Sequence, residues 1–235
     1  MAEGFDLGAY AYAHRGLWAT SGPVENSLTA FKAAANAGFG IELDVRPSRD
    51  GIPIVFHDPL LDRMTGRAGF VAEQDADTLR EVLLNGSADS IPTLSDVLGV
   101  LPTTCPILCE LKIDGETNAR IFAQTVGAML QNHSGLAAAM SFSEAAFAAL
   151  PKSLMRGQLI AASSMVGQQA VLNLIERSYI ARADYIACHV SDAEMVAESK
   201  AADLPLVVWT VTDRATHDRV SPVTDAVIFE HYDPR

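Results

Sequence analysis

The stretch Gly40-Ile41-Glu42-Leu43-Asp44-Val45, continued by Arg46-Pro47-Ser48-Arg49-Asp50-Gly51-Ile52-Pro53-Ile54-Val55-Phe56-His57-Asp58, decides the reading of this chain. Ile41, Leu43 and Val45 alternate with Glu42 and Asp44, which is the period of a β-strand. Side chains at i and i+2 on a strand share a face. Glu42 and Asp44 therefore project together, two carboxylates where a buried strand should carry aliphatic groups. Asp50-Gly51 then favours a tight hairpin turn, because both central positions of a type I′ turn need φ > 0. Counting outward from that turn pairs Arg49 with Ile52 and ends with Asp44 opposite His57. Local geometry alone thus brings an imidazole beside the carboxylate pair, as in a metal site with an acid–base group next to it.

Upstream, residues 10–16 read as a short strand ending in the polar loop His14-Arg15-Gly16. Asn26 or Ser27 can cap the helix that follows, with Leu28, Phe31 and Ala34/Ala35 on its buried face and Gly38 as its left-handed stop. Downstream, Ile91-Pro92-Thr93-Leu94 opens a helix capped by Thr93 or Ser95, with Pro102 beyond its end. Strand patterns then recur at 107–112, 138–142, 157–161, 185–189, 206–211 and 226–229, with helical patterns such as 118–130 and 170–180 between them. With the His14 and Glu42 strands these make eight, the arm at 52–57 being a hairpin return outside the count. Eight β-then-α units closing on themselves predict an α/β fold of the (β/α)8 TIM-barrel type, whose active site sits at the C-terminal strand ends.

Residues 59–90 are polar and contain glycine, with one short helical pattern around 79–84, and are too long for an ordinary βα connection. The expectation is a single domain over 1–235 with an insertion after the second strand, approximately 46–92, lying over the barrel mouth. Its apolar residues (Phe70, Val71, Leu79, Val82, Leu83, Leu84) look scattered. Apolar residues make up 49% of the chain and charged ones 20%, enough for a full core in a soluble protein. With 17 basic against 29 acidic side chains the formal net charge is −12, which disfavours nonspecific binding to nucleic acid or anionic membranes. Cys105, Cys109 and Cys188 are odd in number and lack framework spacing, so reduced thiols are expected. The first six residues have neither the basic nor the apolar region of a signal peptide, and no apolar run approaches the ~18 residues of a membrane span. A cytoplasmic protein without stable membrane association is expected, and a homo-oligomer is compatible with it.

In Cys109-Glu110-Leu111-Lys112 the same parity turns Glu110 and Lys112 into the mouth and Cys109 and Leu111 toward the helices. Glu42, Asp44 and Glu110 then converge from two strand ends. Left alone, three carboxylates repel and at least one stays protonated. One divalent cation relieves this, and an all-oxygen site suits Mg²⁺ or Ca²⁺ better than zinc. Three carboxylates, one such cation, Arg15 and Lys112 leave one net positive charge, which complements a phosphodiester. His14 and His57 end separate strands around that position, one able to act as general base and the other as general acid.

The ordered series His14-Arg15-Gly16, Glu25-Asn26-Ser27, Glu42-x-Asp44, Asp50-Gly51, His57-Asp58, Asp62-Arg63-x-Thr65, Ile91-Pro92-Thr93-Leu94, Glu110-x-Lys112, Ser141-Phe142 and Trp209-Thr210-Val211 resembles the glycerophosphodiester phosphodiesterases. The resemblance covers essentially the whole chain. It implies a TIM-type barrel with a small insertion after the second strand. It implies a metal held by Glu42, Asp44 and Glu110, the catalytic pair His14 and His57, and a phosphate held by Arg15 and Lys112. The implied reaction is hydrolysis of a small-molecule glycerophosphodiester to sn-glycerol 3-phosphate and an alcohol. Two departures stand out. Val24 and Ser27 replace the usual Pro and Thr around Glu-Asn, and Ile228-Phe229-Glu230-His231-Tyr232 stands where the family commonly shows Thr-Asp after an apolar run.

Several residues have plainer readings. His133 and His217 lie in helical or loop stretches and read as structural. His189 is evenly balanced between lining the mouth and a structural bond. Trp209 shares the parity of Val207 and Val211 and is read as a wall for the glycerol or headgroup, against the alternative of core packing. Asp58 and Glu25 are expected to orient His57 and Arg15. Rival readings of the whole are a lysophospholipase D-like enzyme, which needs an apolar groove at the mouth, and a silent binding barrel, which should have lost a histidine or carboxylate. A zinc metallohydrolase usually needs histidine ligands, and no His-x-His occurs.

Overall fold

The computed structural model describes residues 5–115, 117–199 and 203–235. Its nine strands are β1 (Tyr12–His14), β2 (Gly40–Pro47), β3 (Pro53–Val55), β4 (Ile107–Leu111), β5 (Ala137–Ser141), β6 (Met155–Ile160), β7 (Tyr185–His189), β8 (Leu206–Val211) and β9 (Ala226–Phe229). Eight of them are parallel and closed, β1 pairing with both β2 and β9 and β2 with β4, while β3 lies outside, antiparallel to β2 and bridged through Ile54 to Thr93 on its other edge. This is the expected (β/α)8 barrel, with all eight expected strands in place.

Helices follow the strands in turn. α1 (Leu28–Asn36) is capped by Ser27, whose hydroxyl accepts from Ala30 N at 3.1 Å, and it closes at Gly38 with φ +79°. The short α2 (Asp62–Thr65) and α3 (Ala76–Arg80) lie between β3 and α4 (Leu94–Val100). α4 opens with a capping box of Thr93 and Asp96. Then come α5 (Ala119–Asn132), α6 (Glu144–Ala149), α7 (Ser163–Val166), α8 (Gln168–Ile180), α9 (Ala193–Ala197) and α10 (Arg214–Val220). None of the described helices is long and apolar enough to cross a membrane.

Alternation along the strands splits the core in two. Leu43, Val45, Cys109 and Leu111 face outward and pack with Phe31, Phe122 and Val126 of the helices. Tyr12, Leu108, Met140, Leu159, Tyr185, Val207 and Ile228 face inward and fill the cylinder. Each such full burial contributes roughly 1.5–3 kcal/mol before conformational entropy is subtracted. Gly157 is required by this filling, since a Cβ there would lie 2.2 Å from the Tyr185 ring.

The hairpin register differs from expectation by one residue. Val45 pairs with Val55, Arg46 with Ile54 and Pro47 with Pro53, so Asp44 faces Phe56, whose N–H donates to Asp44 O at 3.0 Å. The turn is not the two-residue type. Gly51 N donates to Ser48 O and Ser48 N to Ile52 O, both at 3.0 Å, enclosing a three-residue loop with Gly51 at φ +81°. β2 outruns the three-residue β1, and β3 pairs with its overhanging end.

The segment after β3 also differs in detail. The helical turn lies at Ala76–Arg80 rather than across 79–84, and Leu83 bridges Ser90 in extended form. Its apolar residues are not scattered. Val71, Leu79, Val82 and Leu84 pack with Ile54, Phe56, Leu61 and Ile91 into a small core, leaving Phe70 and Leu83 exposed.

Candidate active site

At the C-terminal end of the barrel, an inward apolar residue is followed two positions later by a polar or aromatic group at the mouth. Tyr12 precedes His14, Leu108 precedes Glu110, Ala187 precedes His189, Val207 precedes Trp209 and Ile228 precedes Glu230. Because residues two apart share a strand face, one register supplies both the packed floor and the groups above it. β2 adds Glu42 and Asp44, and β4 carries Glu110 beside Asp44 in the pairing register.

These three carboxylates are buried, and each offers one oxygen within 4.8 Å of the others. Burial, then the charges of Asp44 and Glu110, push Glu42 up to about 8. Burial likewise raises Glu110. Burial would raise Asp44 as well, but Lys112 and Arg15 hold it well below the usual carboxylate range. A proton on Glu42, or a cation among the three, relieves the repulsion. Glu42 Oε1 is buried with no hydrogen-bond partner among the described residues, an acceptor that a cation would satisfy. The donor set is oxygen only, which fits a hard divalent ion.

Two cations close the cluster from the protein side. Lys112 Nζ lies 3.0 Å from Asp44 Oδ1 and 2.5 Å from Glu110 Oε1. Arg15 Nε is 3.2 Å from Asp44 Oδ2, its Nη1 donates to Glu25 Oε1 at 3.0 Å, and its backbone N–H donates to Glu42 Oε2 at 3.2 Å. That approach depends on a left-handed pair, Arg15 at φ +57° and Gly16 at φ +83°; a Cβ on Gly16 would meet the Ala30 backbone at 2.8 Å. Asn26, also left-handed, donates through Nδ2 to Asp44 Oδ2 at 2.9 Å.

The imidazoles flank this network. His14 Nε2 is 3.8 Å from Glu42 Oε2, and its Nδ1 is bonded to Glu230 Oε1. Burial alone would lower the His14 pKa, but the Glu230 bond and the Glu42 charge raise it overall. His57 follows β3, with Nδ1 at 2.7 Å from Asp58 Oδ1 and its carbonyl accepting from Arg46 Nε at 2.6 Å. Burial, with Lys112 and Arg15, lowers the His57 pKa against the pull of Asp44. Arg63 ties this side down, donating to Asp58 Oδ2 at 2.5 Å and to both oxygens of Glu25 at 2.7 and 3.0 Å.

His14, Arg15, Glu42, Asp44, Glu110 and Lys112 thus form one contact network, with His57 within electrostatic reach of it. Trp209 stands apart in an aromatic group, edge-on to Phe142 at 5.7 Å and to His189 at 5.2 Å, its indole Nε1 buried without a hydrogen-bond partner among the described residues. His189 bonds Ser191 Oγ at 2.8 Å and His217 the Tyr232 hydroxyl at 2.9 Å. Glu25 and Asp58 contact Arg15 and His57, the neighbours they are expected to orient. Sequence reasoning assigned no site role to Glu230, Arg63 or Arg46, and gave Asn26 only that of a possible helix cap. The inward parity of Ile228 could have pointed to Glu230. Arg63 lies in the quoted Asp62-Arg63-x-Thr65 stretch, but its bond to the distant Glu25 has no local signal.

Known proteins resemble this chain in sequence and in fold. The profile of the glycerophosphoryl diester phosphodiesterase family matches residues 14–233. A probable glycerophosphodiester phosphodiesterase 2 of Mycobacterium tuberculosis is 44% identical over 96 residues, 40% of this chain and 36% of that protein. The matched stretch thus spans little more than a third of that relative's length. A phosphodiesterase of Oleispira antarctica, solved in complex with the product sn-glycerol-3-phosphate, superposes with a TM-score of 0.78 at 25% identity, covering 94% of this chain and 92% of that one. A glycerophosphodiester phosphodiesterase of Thermotoga maritima gives 0.77 at 25% identity, covering 94% and 93%.

Proposed function

The chain belongs to the glycerophosphoryl diester phosphodiesterase family, and from that premise we propose that it hydrolyses glycerophosphodiesters to sn-glycerol 3-phosphate and an alcohol. The observation that carries this reading is the meeting of three buried carboxylates, two cationic side chains and two imidazoles at one barrel mouth. Glu42, Asp44 and Glu110 would hold one divalent cation, Mg²⁺ or Ca²⁺, which when bound offsets their charge and stabilises charge developing on the phosphoryl oxygens. Arg15 and Lys112 supply fixed positive charge for the phosphate. One imidazole of the His14/His57 pair takes the proton of the glycerol 2-hydroxyl as that oxygen attacks phosphorus. The other gives a proton to the departing alcohol oxygen as its P–O bond breaks. Water then opens the cyclic phosphate with the two roles reversed. Trp209 would form a wall for the glycerol or headgroup. On this reading residues 1–235 act as one catalytic domain in the cytoplasm, and the insertion at 46–92 carries the His57 side of the site.

The test is release of glycerol 3-phosphate from glycerophosphocholine, glycerophosphoethanolamine and glycerophosphoglycerol, with Mg²⁺, with Ca²⁺ and with EDTA. Cation-dependent, EDTA-sensitive release supports reaction and site together. Intact diesters in the presence of bound cation would overturn the substrate assignment and leave the cation site standing.

One observation favours a second reading, action on lysophospholipids. A cavity of 750 Å³ adjoins the site rather than containing its carboxylates. It runs between the hairpin and α5, lined by Pro47, Pro59, Phe70, Val71, Ile121 and Phe122, and shares Arg46 with the His57 side. An acyl chain on the glycerol could lie there. Release of choline from lysophosphatidylcholine at a rate matching glycerophosphocholine would favour this reading.

A further inference from the structure

We propose that Glu230 is a positioning residue for His14: it accepts the Nδ1 proton of the imidazole and leaves Nε2 facing the reacting atoms. This rests on the proposed role of His14 in the phosphodiesterase reaction.

The geometry is specific to this pair. His14 Nδ1 is bonded to Glu230 Oε1, while Nε2, on the opposite side of the ring, lies 3.8 Å from Glu42 Oε2 in the carboxylate cluster. A neutral imidazole donates from one nitrogen and accepts at the other. A carboxylate at Nδ1 therefore selects the Nδ1–H tautomer and frees the Nε2 lone pair. Glu230 is itself held from several directions. It directly follows β9, and its backbone N–H donates to Val211 O at 2.9 Å. Its second oxygen is 3.6 Å from His231 Nε2. His231 adopts φ +61° and sets its ring edge-on to Trp18, centroids 4.7 Å apart. The carboxylate is 15% exposed and the His14 side chain 16%, so solvent weakens the bond little. The last strand of the barrel thereby supplies the support of a group on the first.

The test measures steady-state kinetics and divalent-cation affinity for Glu230→Ala and Glu230→Asp, with His14→Ala alongside, and reads the His14 tautomer by ¹⁵N NMR. Glu230→Ala should lower kcat about 10–100-fold, the range found for outer partners of active-site histidines. KM and cation affinity should stay within about twofold, and the Nδ1–H tautomer should no longer dominate. Glu230→Asp keeps the carboxylate and should restore part of kcat; it also guards against a folding defect in the alanine variant. An unchanged kcat in Glu230→Ala, or a His14 tautomer that does not respond, overturns the proposal. If Glu230→Ala is silent while His14→Ala abolishes turnover, this inference alone fails. If His14→Ala itself turns over normally, the role of His14 falls and this inference with it.

Discussion

The two imidazoles of the site are supported in different ways. His14 ends a strand that is hydrogen-bonded on both sides within the closed barrel, and its carboxylate partner comes from another barrel strand. His57 follows the three-residue β3, which lies outside the cylinder, held by β2 on one edge and by a single bridge from Ile54 to Thr93 on the other. Its partner is its neighbour Asp58, and the pair is steadied by Arg63, whose side chain is 48% exposed. The His14 side chain is 16% exposed and that of His57 32%. Barrel closure fixes one side of the site through backbone pairing. Ion pairs and a small separate core fix the other, where opening costs less.

The difference can be broken or sharpened experimentally. The largest effects are expected from His14→Ala and His57→Ala, each lowering kcat by roughly 10²–10⁴ with far-UV circular dichroism preserved. Retained turnover in either variant removes that histidine from the catalytic pair. Glu110→Ala comes next, since Glu110 serves neither imidazole alone. Titration calorimetry should show weaker divalent-cation binding and assays a parallel loss of activity, at least the roughly 10–100-fold that outer partners of a metal site cost. Normal cation affinity would exclude Glu110 as a ligand.

Arg63→Ala should then act on the His57 side only, lowering kcat about 10-fold while leaving the His14 tautomer as it is. Its cost to stability should be about 1 kcal/mol or less, because the guanidinium is half exposed. Arg63→Lys should not restore activity, since an ammonium cannot match the fork that joins Glu25 to Asp58. A changed His14 tautomer in Arg63→Ala would show that the two sides are not independent. The smallest effect is on acid stability. Burial would raise Asp58, but the bonds from Arg63 and His57 hold it at about 2. A carboxylate so depressed stabilises the fold above its unfolded pKa near 3.9 and loses that contribution as pH falls toward 2. Thermal melts from pH 5 to pH 2 should therefore fall more steeply in the wild type than in Asp58→Asn; equal slopes would deny the clamp any stabilising role.

Much of the barrel was legible because its strands advertise themselves locally. In 107–112, Ile107, Cys109 and Leu111 alternate with Leu108, Glu110 and Lys112, and the two-residue period names the faces without reference to the rest of the chain. The hairpin register was not legible from Asp50-Gly51, which suits both a two-residue and a three-residue loop. Ser48 helps decide it, its Oγ accepting from Ile52 N at 2.9 Å. So does the small core, which takes both Ile54 and Phe56. A slip of one residue would turn that pattern to the opposite face. The same core was hidden because Val71, Leu79, Val82 and Leu84 follow no single period, and only the folded chain gathers them.

By itself, then, the sequence determined which side chains face the mouth. Alternation places Glu42 with Asp44 and Glu110 with Lys112, and the strand end exposes His14. Only tertiary structure decided which group supports which. Glu230 is 216 residues from His14 along the chain and reaches it because β9 pairs with β1 to close the barrel. Arg63 finds Glu25 because its segment folds back against the loop before α1. Periodicity is a property of neighbours a few residues apart, whereas closure joins the two ends of the sheet, and no local pattern encodes that contact.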